Sequence, residues 1–220
     1  MALNLIMLGP PGAGKGTQAE RFARVRGIPK ISTGDILREA VQTGTEIGRR
    51  AKAIMDRGDL ISDDVIIGIV EERLNRRDAR SGFVLDGFPR TVAQASALDR
   101  IMNGRDPLIV VDIVVPESEL VRRLGSRLIC ESCGANAPID GDGALTMCPR
   151  CGGRLVQRAD DDEAIVLERL KVYHRQSEPL VEYYRARPTF RSVNGAQTPG
   201  QVASDLASAI EAAVAPGVPR

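Results

Sequence analysis

The chain has almost no excess charge of either sign. Its 30 basic residues are set against 29 acidic ones over 220 residues, which gives a formal net charge of +1. Non-specific binding to nucleic acid or to an anionic membrane requires a strongly positive surface. The composition therefore predicts no nucleic-acid partner, and any polyanion must be bound by a local cluster of basic side chains.

Long apolar runs are also absent. No stretch approaches the roughly 18 consecutive apolar residues of a membrane span. The apolar segment at residues 2–8 is too short for a signal peptide and has no basic leader. We therefore expect a cytoplasmic protein with no membrane partner. Its length and its hydrophobic fraction of 43% suit one α/β domain with insertions.

Lysine and histidine are scarce. Only Lys15, Lys30, Lys52 and Lys171 are lysines, so most basic residues are arginines, whose planar guanidinium binds phosphate through paired hydrogen bonds. The single histidine, His174, is most simply interpreted as an exposed helix position. The chain shows no Ser-His-Asp set, which excludes that form of nucleophilic catalysis.

Cysteine is missing from most of the chain. The four cysteines form two C-x-x-C pairs separated by fourteen residues, Cys130 with Cys133 and Cys148 with Cys151. This spacing is typical of a zinc ribbon, and four thiolates leave no open position on the metal, so we expect a structural zinc. A redox role for the pairs is the alternative. The surrounding segment has few large apolar residues and needs such a metal to hold its shape.

The most informative segment that is present is Gly9-Pro10-Pro11-Gly12-Ala13-Gly14-Lys15-Gly16-Thr17, which follows an apolar run at residues 3–8. A buried strand, a glycine-rich turn, a lysine and a helix form a phosphate-binding loop, because backbone N–H groups and the helix N-terminus point at the anion. The general pattern places Ser or Thr directly after the lysine, whereas here Gly16 precedes Thr17. The segment predicts a nucleoside triphosphate site.

Apolar runs at residues 3–8, 82–85, 108–115 and 189–193 alternate with helical patterns. Such near-continuous apolar strands predict a parallel sheet with helices on both faces and ligands at the carboxyl ends of the strands. We expect short helices at residues 34–42 and 46–57, and a helix at 201–214. A longer helix at 163–184 would be capped by Asp160, Asp161 and Asp162 and kinked or broken at Pro179.

Asp86 and Arg90 follow the predicted strand at residues 82–85 and therefore lie at the ligand end of the sheet. Asp86 is a candidate for orienting magnesium through water, since Mg²⁺ keeps several waters and takes few carboxylates. Arg90 is a candidate for binding a second phosphate. A simple turn at this Asp-Gly pair is the alternative interpretation.

These segments together resemble the adenylate kinases, in the long-lidded form of the nucleoside monophosphate kinases whose lid binds zinc. The resemblance covers residues 3 to about 214 and rests on GPPGAGKGT, ISTGDILR, LDGFPRT, the paired cysteine knuckles and QRADD. Gly16 belongs to this family's G-K-G-T pattern. The resemblance implies a P-loop three-layer α/β fold with a central parallel five-stranded sheet, a helical insertion that binds the monophosphate and a zinc-ribbon-like lid.

In domain terms, the resemblance implies a core of residues 1–31, 62–126 and 162–220, an insertion at 32–61 and a lid at 127–161. The implied activity is the reversible transfer of the terminal phosphoryl group of ATP to AMP, giving two ADP, with Mg²⁺ and arginines neutralising charge. The substrates would be ATP, AMP and ADP, and the protein a monomer. A kinase for another nucleoside monophosphate is the first alternative. A P-loop ATPase with a zinc-ribbon nucleic-acid module is a more distant one.

The resemblance also assigns site residues by position. The catalytic group would be Lys15, Arg90, Arg123, Arg127, Arg158 and Arg169. The ATP site would contain Gly12, Ala13, Gly14, Lys15, Gly16, Thr17, Arg123, Arg127 and Gln197. The AMP site would contain Thr33, Arg38, Asp59, Leu60, Ile61, Gly87, Phe88, Pro89, Arg90, Gln94, Arg158 and Arg169, with Gln94 and Thr33 near the base, and Asp160 and Asp161 would help to lock the lid.

The chain departs from the family pattern at a few of these places. Leu128 stands where relatives often have a second arginine, and Asp59 where they often have lysine. Asn136 and Ala137 replace the Thr or Val and the Tyr that usually face ATP from the lid.

Overall fold

The computed structural model describes residues 2–57, 60–137, 146–158 and 161–214. Its strands are β1 (Leu3–Leu8), β2 (Lys30–Ser32), β3 (Gly82–Asp86), β4 (Leu108–Val114), β5 (Leu128–Cys130), β6 (Leu155–Gln157) and β7 (Phe190–Asn194). Its α-helices are α1 (Lys15–Arg26), α2 (Thr33–Gln42), α3 (Glu46–Met55), α4 (Asp63–Leu74), α5 (Val92–Ile101), α6 (Glu117–Gly125), α7 (Glu163–Val172), α8 (Pro179–Arg185) and α9 (Pro199–Val214). A 3-10 turn, Arg77–Ser81, precedes β3, and a π-helical turn, Tyr173–Ser177, separates α7 from α8.

The main sheet has five strands in the order β2-β3-β1-β4-β7, and every neighbouring pair is parallel. β1 is the central strand, with Ile6 opposite Leu85 of β3 and Val110 of β4. Parallel strands need crossover connections, which place helices on the two faces of the sheet. The predicted α/β fold with a five-stranded parallel sheet is confirmed, and the glycine-rich loop leaves the carboxyl end of its middle strand.

Two apolar cores cover the two faces of this sheet. On one face, Leu5 and Val111 pack with buried side chains of α1, α6, α7 and α9. On the other face, Phe83 and Val110 pack with those of α4, α5 and α8, including the fully buried Tyr184. Because successive strand side chains point to opposite faces, near-continuous apolar strands are what a sheet covered on both sides requires.

Four of the five strands in this sheet coincide with the predicted apolar runs to within one residue at each end. The fifth, β2, was not predicted. It has only three residues, Lys30, Ile31 and Ser32, and a single apolar side chain among them gives no periodicity to recognise. Its position comes from parallel pairing with β3, a contact between segments far apart in the chain.

The helices α2 and α3 match the predicted short helices closely, and each has a side-chain cap. Ser32 Oγ accepts a hydrogen bond from the backbone N–H of Asp35 at 3.2 Å, and Thr45 Oγ1 accepts one from Gly48 at 3.1 Å. Such caps satisfy N–H groups that have no partner within the helix. Among the described residues between β2 and β3, the polar segment therefore folds as helices and contributes no strand.

The predicted long helix at residues 163–184 is broken, as Pro179 suggested. Pro179 is the first residue of α8, where its missing N–H costs no helical hydrogen bond. Asp162 caps α7 as expected by accepting from the N–H of Ala164 at 3.1 Å. The cap prediction was wrong for Asp161, whose carboxylate binds arginines instead. Asp160 lies outside the described residues.

The cysteine-rich segment forms a separate two-stranded antiparallel sheet of β5 and β6, with Cys130 opposite Leu155. Its buried cluster consists of Cys130, Cys148 and Leu155. We call the described residues 127–137 and 146–158 the cysteine hairpin. Across the part of the chain that the structure describes, no helix combines the length and the apolar character needed to cross a membrane.

Candidate active site

The glycine-rich loop is built so that only glycine fits at its bends. Gly9 has φ 132°, and a Cβ there would lie 2.6 Å from the carbonyl oxygen of Ile113. Gly12 has φ 85°, and its Cβ would lie 3.0 Å from a carbon of the Leu124 side chain. The start of α1 receives no side-chain cap and has no acidic residue in its first turn. Its N–H groups thus remain suited to an anion.

The side chain of Lys15 folds back over this loop. Its Nζ donates hydrogen bonds to the carbonyl oxygens of Gly9 at 2.7 Å and Pro10 at 2.8 Å. The ammonium is thereby held above the space that the loop encloses, where bound phosphates would lie. The predicted position of Lys15 on a phosphate-binding loop agrees with this arrangement.

One carboxylate and three guanidinium groups act on the charge of Lys15. Burial lowers its pKa, the carboxylate of Asp86 opposes that effect, and the guanidinium groups of Arg90, Arg169 and Arg127 add to it, which together bring the pKa to about 8. Three of the predicted arginines therefore act electrostatically on one lysine. Like charges crowded in a partly buried site are a liability unless an anion joins them.

Asp86 ends β3, next to the central strand, with Met7 of β1 and Ser32 of β2 as its neighbours in register. A Cβ at Gly16 would lie 3.2 Å from Oδ2 of Asp86, which is tighter than ordinary van der Waals contact. The glycine that separates Lys15 from Thr17 thus allows the first turn of α1 to approach this carboxylate closely. The departure from the general loop pattern has a physical reason in the fold.

Arg127 and Arg169 meet on one buried carboxylate. Arg127 donates to both oxygens of Asp161, at 2.7 Å from Nε and 2.6 Å from Nη2, and Arg169 Nη1 donates to Oδ1 at 3.0 Å. The Asp161 side chain is 0% exposed, and those of the two arginines are 23% and 17% exposed. One carboxylate therefore holds two arginines together.

Arg123 lies apart from this cluster. It donates to Glu119 Oε1 at 2.7 Å and to the carbonyl oxygen of Gly195 at 3.0 Å. Hydrogen bonds from Arg122 and Arg123 lower the pKa of Glu119 to about 2. The arginine thus connects α6 to the loop between β7 and α9, the loop that contains Gln197.

Gln197 is held within its own loop. Its Nε2 donates to the carbonyl oxygen of Asn194 at 3.0 Å and to Asp205 Oδ2 at 2.7 Å. The loop is also bound from α1, because Gln18 Nε2 donates to the carbonyl oxygen of Pro199 at 3.0 Å. Gln18 was not predicted as a site residue, since a buried glutamine in an amphipathic helix gives no distinctive pattern.

A second network lies across the carboxyl edge of the sheet from the glycine-rich loop. Thr33 Oγ1 and Arg90 Nε both donate to the carbonyl oxygen of Gly87 at 2.8 Å. Gly87 has φ 77°, and a Cβ there would lie 3.0 Å from Arg90 Nη2. The chain then passes through buried Phe88 and a cis Phe88–Pro89 peptide bond. The turn brings five of the predicted monophosphate-site residues together: Thr33, Gly87, Phe88, Pro89 and Arg90.

Gln94 belongs to the same network and is 2% exposed. Its Oε1 accepts from the backbone N–H of Arg90 at 2.7 Å, and its Nε2 donates to Asp63 Oδ1 at 2.7 Å. Asp63 was missed by the sequence analysis. An acidic residue in the first turn of a helix is ordinarily explained by the helix dipole, and its partners are 28 and 31 residues away.

A cavity of about 400 Å³ opens beside Asp63. That size falls within the range of small-ligand sites. Two predicted residues, Leu60 and Ile61, form part of its wall. The other lining residues are Ile54, Arg57, Ser62, Asp63, Thr91 and Gln176. The next residue of the π-helical turn, Ser177, donates to the carbonyl oxygen of Arg90 at 2.8 Å.

Arg38 binds Asp35 in the first turn of α2, and Lys30 binds the other oxygen of that carboxylate at 3.1 Å. Burial acts to raise the pKa of Asp35, but Lys30 and Arg38 outweigh it and lower the pKa to about 2. Arg158 follows β6 directly. Asp59 lies outside the described residues.

The four cysteines are free thiols whose Sγ atoms all lie within 4.8 Å of one another. Cys130 and Cys151 Sγ are 3.4 Å apart, and Cys133 and Cys148 Sγ are 3.8 Å apart. Sulfurs around a tetrahedral zinc, at about 2.3 Å from the metal, are separated by about 3.8 Å. The N–H of Cys133 donates to Cys130 Sγ and lowers the pKa of that thiol to about 6. The donor set fits a structural zinc.

Comparison with known proteins decides the family. The family model for adenylate kinase matches residues 7–189. The chain belongs to the adenylate kinase family. An adenylate kinase of Archaeoglobus fulgidus is 52% identical over 200 residues, covering 88% of this chain and 91% of that protein. An adenylate kinase of a Geobacter species is 50% identical and covers 96% of this chain and all of that protein. One of Thermodesulfovibrio yellowstonii is 45% identical over 95% of this chain and 99% of its own length.

Membership in the adenylate kinase family relates the network at the glycine-rich loop to the network at the turn with Arg90. The glycine-rich loop with Lys15 and the turn with Arg90 lie at the carboxyl ends of neighbouring strands, β1 and β3. In parallel α/β folds this edge is where ligands bind. The structure thus places two candidate anion-binding elements side by side at this edge of the sheet.

Proposed function

We propose that this adenylate kinase transfers the terminal phosphoryl group of ATP to AMP and forms two ADP. The observation that carries this function is the position of two phosphate-binding candidates at the carboxyl ends of the neighbouring strands β1 and β3, the glycine-rich loop with Lys15 and the turn with Arg90. Phosphoryl transfer requires little beyond alignment of two anions and neutralisation of their charge. Basic side chains beside the glycine-rich loop support a site that binds phosphates.

For the donor, the proposed site is the loop Gly12, Ala13, Gly14, Lys15, Gly16 and Thr17, with Arg123, Arg127 and Gln197. The positive-φ glycines and the uncapped start of α1 support phosphate binding at the loop. The binding of Arg123 to the carbonyl oxygen of Gly195 supports a role in shaping the loop that would contact the base. Lys15 would follow the phosphoryl group during transfer.

For the acceptor, the proposed site contains Thr33, Arg38, Asp59, Leu60, Ile61, Gly87, Phe88, Pro89, Arg90, Gln94, Arg158 and Arg169. The hydrogen bonds that join Thr33 and Arg90 at one carbonyl oxygen support this grouping. The cavity beside Leu60 and Ile61 supports a nucleotide on this side of the sheet. Arg90 would bind the acceptor phosphate, and Gln94 would contact the base.

Family members act on magnesium nucleotides, and Asp86 is the residue that would hold Mg²⁺ here, through water. Its place at the end of β3, close to Gly16 and acting on the charge of Lys15, fits a carboxylate facing the phosphates. Bound Mg²⁺ would supply further neutralisation of phosphate charge. The protein's own contribution is to hold the Asp86 carboxylate close to the first turn of α1, which Gly16 makes possible.

We assign the chain to three functional units. Residues 1–31, 62–126 and 162–220 form the core, residues 32–61 close over the monophosphate, and residues 127–161 close over ATP. The helical character of α2 and α3 and the separate sheet of the cysteine hairpin support this division. Closure would exclude water, which otherwise competes with AMP as the acceptor. Cys130, Cys133, Cys148 and Cys151 would bind one structural zinc and make the lid rigid.

The protein's surface and its cysteines support a cytoplasmic monomer without a nucleic-acid partner. Exposed large apolar side chains are scattered across different elements of the described chain, among them Val25, Met147 and Leu167, which supports a monomer. Free thiols that serve as metal ligands suit the reducing conditions of the cytoplasm. A nucleic-acid partner is not favoured, because the cysteine knuckles carry Glu131 against Arg150 and so have no positive excess.

The decisive experiment is a coupled assay for ADP formation from ATP with AMP, GMP, CMP or UMP as the acceptor. Selective ADP formation with AMP is the expected result. Equal or faster turnover of another monophosphate would instead favour the first alternative kinase. Hydrolysis of ATP that is stimulated by oligonucleotides and indifferent to AMP would favour the ATPase.

We expect the affinity for ATP to depend on pH through Lys15. Its pKa of about 8 in the free protein means that the ammonium loses its charge above that pH. Bound phosphates would raise this pKa, so binding takes up a proton at higher pH, and affinity should fall about tenfold for each pH unit above 8. Calorimetric titrations between about pH 7 and pH 10 measure this slope. Lys15→Arg, which stays charged throughout, should give a flat profile, and an equally flat wild-type profile would contradict the prediction.

Removal of the Asp161 carboxylate should destabilise the fold. Asp161→Ala leaves Arg127 and Arg169 partly buried without their shared anion, and breaking such a buried pair costs about 3 kcal/mol. Urea unfolding without nucleotide measures the loss. Asp162→Ala is the matched control, since it removes only the α7 cap and should cost about 1 kcal/mol. Equal losses in the two variants would argue against the double ion pair.

A further inference from the structure

The side-chain amide of Gln94 has a defined orientation in this structure. The backbone N–H of Arg90 can only donate, and it donates to Gln94 Oε1 at 2.7 Å. A carboxylate can only accept, and Asp63 Oδ1 accepts from Gln94 Nε2 at 2.7 Å. Rotating the amide by half a turn would place two donors together at Arg90 and two acceptors together at Asp63. The two partners thus exclude the flipped amide.

Asp63 is itself held in place from the neighbouring helix. Its Oδ2 accepts from Thr91 Oγ1 at 2.9 Å, and the same Thr91 oxygen accepts from the backbone N–H of Gln94 at 3.1 Å as the cap of α5. Asp63 lies in the first turn of α4, so its carboxylate joins the starts of two helices. Asp63 and Thr91 also line the 400 Å³ cavity. The network therefore borders space that a ligand can enter.

Each polar atom of the Gln94 amide still has one hydrogen-bonding position left. Of two lone pairs on Oε1 one is used, and of two protons on Nε2 one is used. A 6-aminopurine presents a donor at its amino group and an acceptor at N1, whereas a 6-oxopurine presents an acceptor and a donor in those places. With its orientation fixed, the Gln94 amide can pair its Oε1 with the amino group and its Nε2 with N1 of a 6-aminopurine. An amide that flips freely can pair with either purine edge equally well.

We propose that Asp63 is a positioning residue that selects the 6-aminopurine monophosphate by preventing the Gln94 amide from flipping. The inference rests on the proposed function, in which Gln94 contacts the base of AMP. Asp63 does not touch the nucleotide in this account. It acts through Gln94. Because the Asp63 carboxylate is charged, its hydrogen bond from Gln94 Nε2 makes one amide orientation much more favourable than the other.

The test is Asp63→Asn, measured as kcat/KM for AMP and for IMP with ATP as donor. IMP differs from AMP only in the 6-oxo edge. Asparagine can donate as well as accept, so the variant removes the restraint from Asp63 and leaves only the backbone N–H of Arg90 to disfavour the flipped amide, and we expect the AMP-to-IMP ratio to fall about tenfold. Asp63→Ser, whose hydroxyl also donates or accepts, should show the same loss and provides a second variant if one of them folds poorly. Asp64→Asn, at the exposed neighbouring position, is the matched control and should keep the wild-type ratio.

A double-mutant cycle separates positioning from mere structural damage. With Gln94→Ala, the AMP-to-IMP ratio should already be low, and adding Asp63→Asn should change it less than twofold. Equal losses with AMP and IMP in the single Asp63→Asn variant would overturn the inference, as would an unchanged ratio or the same change in the Gln94→Ala background. Failure of the proposed function would look different from failure of this inference, because wild-type protein would then form no ADP from ATP and AMP.

Discussion

Lys15→Met is expected to lower kcat for ADP formation by about 10³-fold, the scale associated with removing a preorganised charge that stabilises a transition state. The Lys15 ammonium lies over the glycine-rich loop, bound to the carbonyl oxygens of Gly9 and Pro10. No other lysine is in position to replace it, since Lys30 is bound to Asp35 on the acceptor side. Steady-state assays with varied ATP and AMP measure the change.

The folded state should tolerate this change. Methionine keeps most of the apolar stem, and the loss of one positive charge relieves repulsion from Arg90, Arg127 and Arg169. We therefore expect a free energy of unfolding within about 1 kcal/mol of wild type. Lys171→Met is the matched control, because that lysine is 74% exposed on α7 and should leave kcat unchanged. A Lys15→Met protein with kcat within tenfold of wild type would remove Lys15 from the catalytic group.

The parts of the site that could be predicted are those whose functional residues are close together in the sequence. The glycine-rich loop is local, since its bends need glycines at Gly9 and Gly12 and its lysine follows three residues later. The cysteine knuckles are local in the same sense, and their sulfurs do come together. Alternation of apolar runs and helices was enough for the fold class.

The parts that could not be predicted depend on contacts between distant segments. Asp63 reads as an ordinary acidic residue at a helix start, and only the packing of α4 beside α5 gives it Thr91 and Gln94 as partners. Asp161 reads as a helix cap, and only the fold brings Arg127 to it across 34 residues. The three-residue strand β2 has the same origin, because its pairing partner is β3.

Three of the arginines assigned to the site by the family resemblance already bind carboxylates of the protein. Each of Arg123, Arg127 and Arg38 is bound to a carboxylate of the protein, at Glu119, Asp161 and Asp35 respectively. A phosphate that enters the site would compete with these carboxylates for the same guanidinium groups. In the proposed function, each guanidinium would then exchange a carboxylate for a phosphate.

With the proposed zinc site, Cys148→Ser is expected to abolish zinc binding and to unfold the cysteine hairpin while the core stays folded. Strands β5 and β6 have three residues each, and their buried cluster contains two of the four cysteines beside Leu155. An isolated hairpin of this size is marginal in water, and in small metal sites the binding free energy is the folding free energy. Metal analysis should fall from about one zinc per chain to near zero, and proteolysis within the hairpin should accelerate at least about 10²-fold.

Activity should fall with the hairpin, because Arg127 precedes β5 directly and Arg158 follows β6. An unfolded hairpin would release both arginines and admit water, so ADP formation should drop relative to the hydrolysis of ATP without AMP. Treatment of the wild type with a chelator should reproduce these changes, and Glu131→Gln, an exposed change between the first two cysteines, should produce none of them. A Cys148→Ser protein that binds as much zinc as wild type and melts no lower would refute the structural metal.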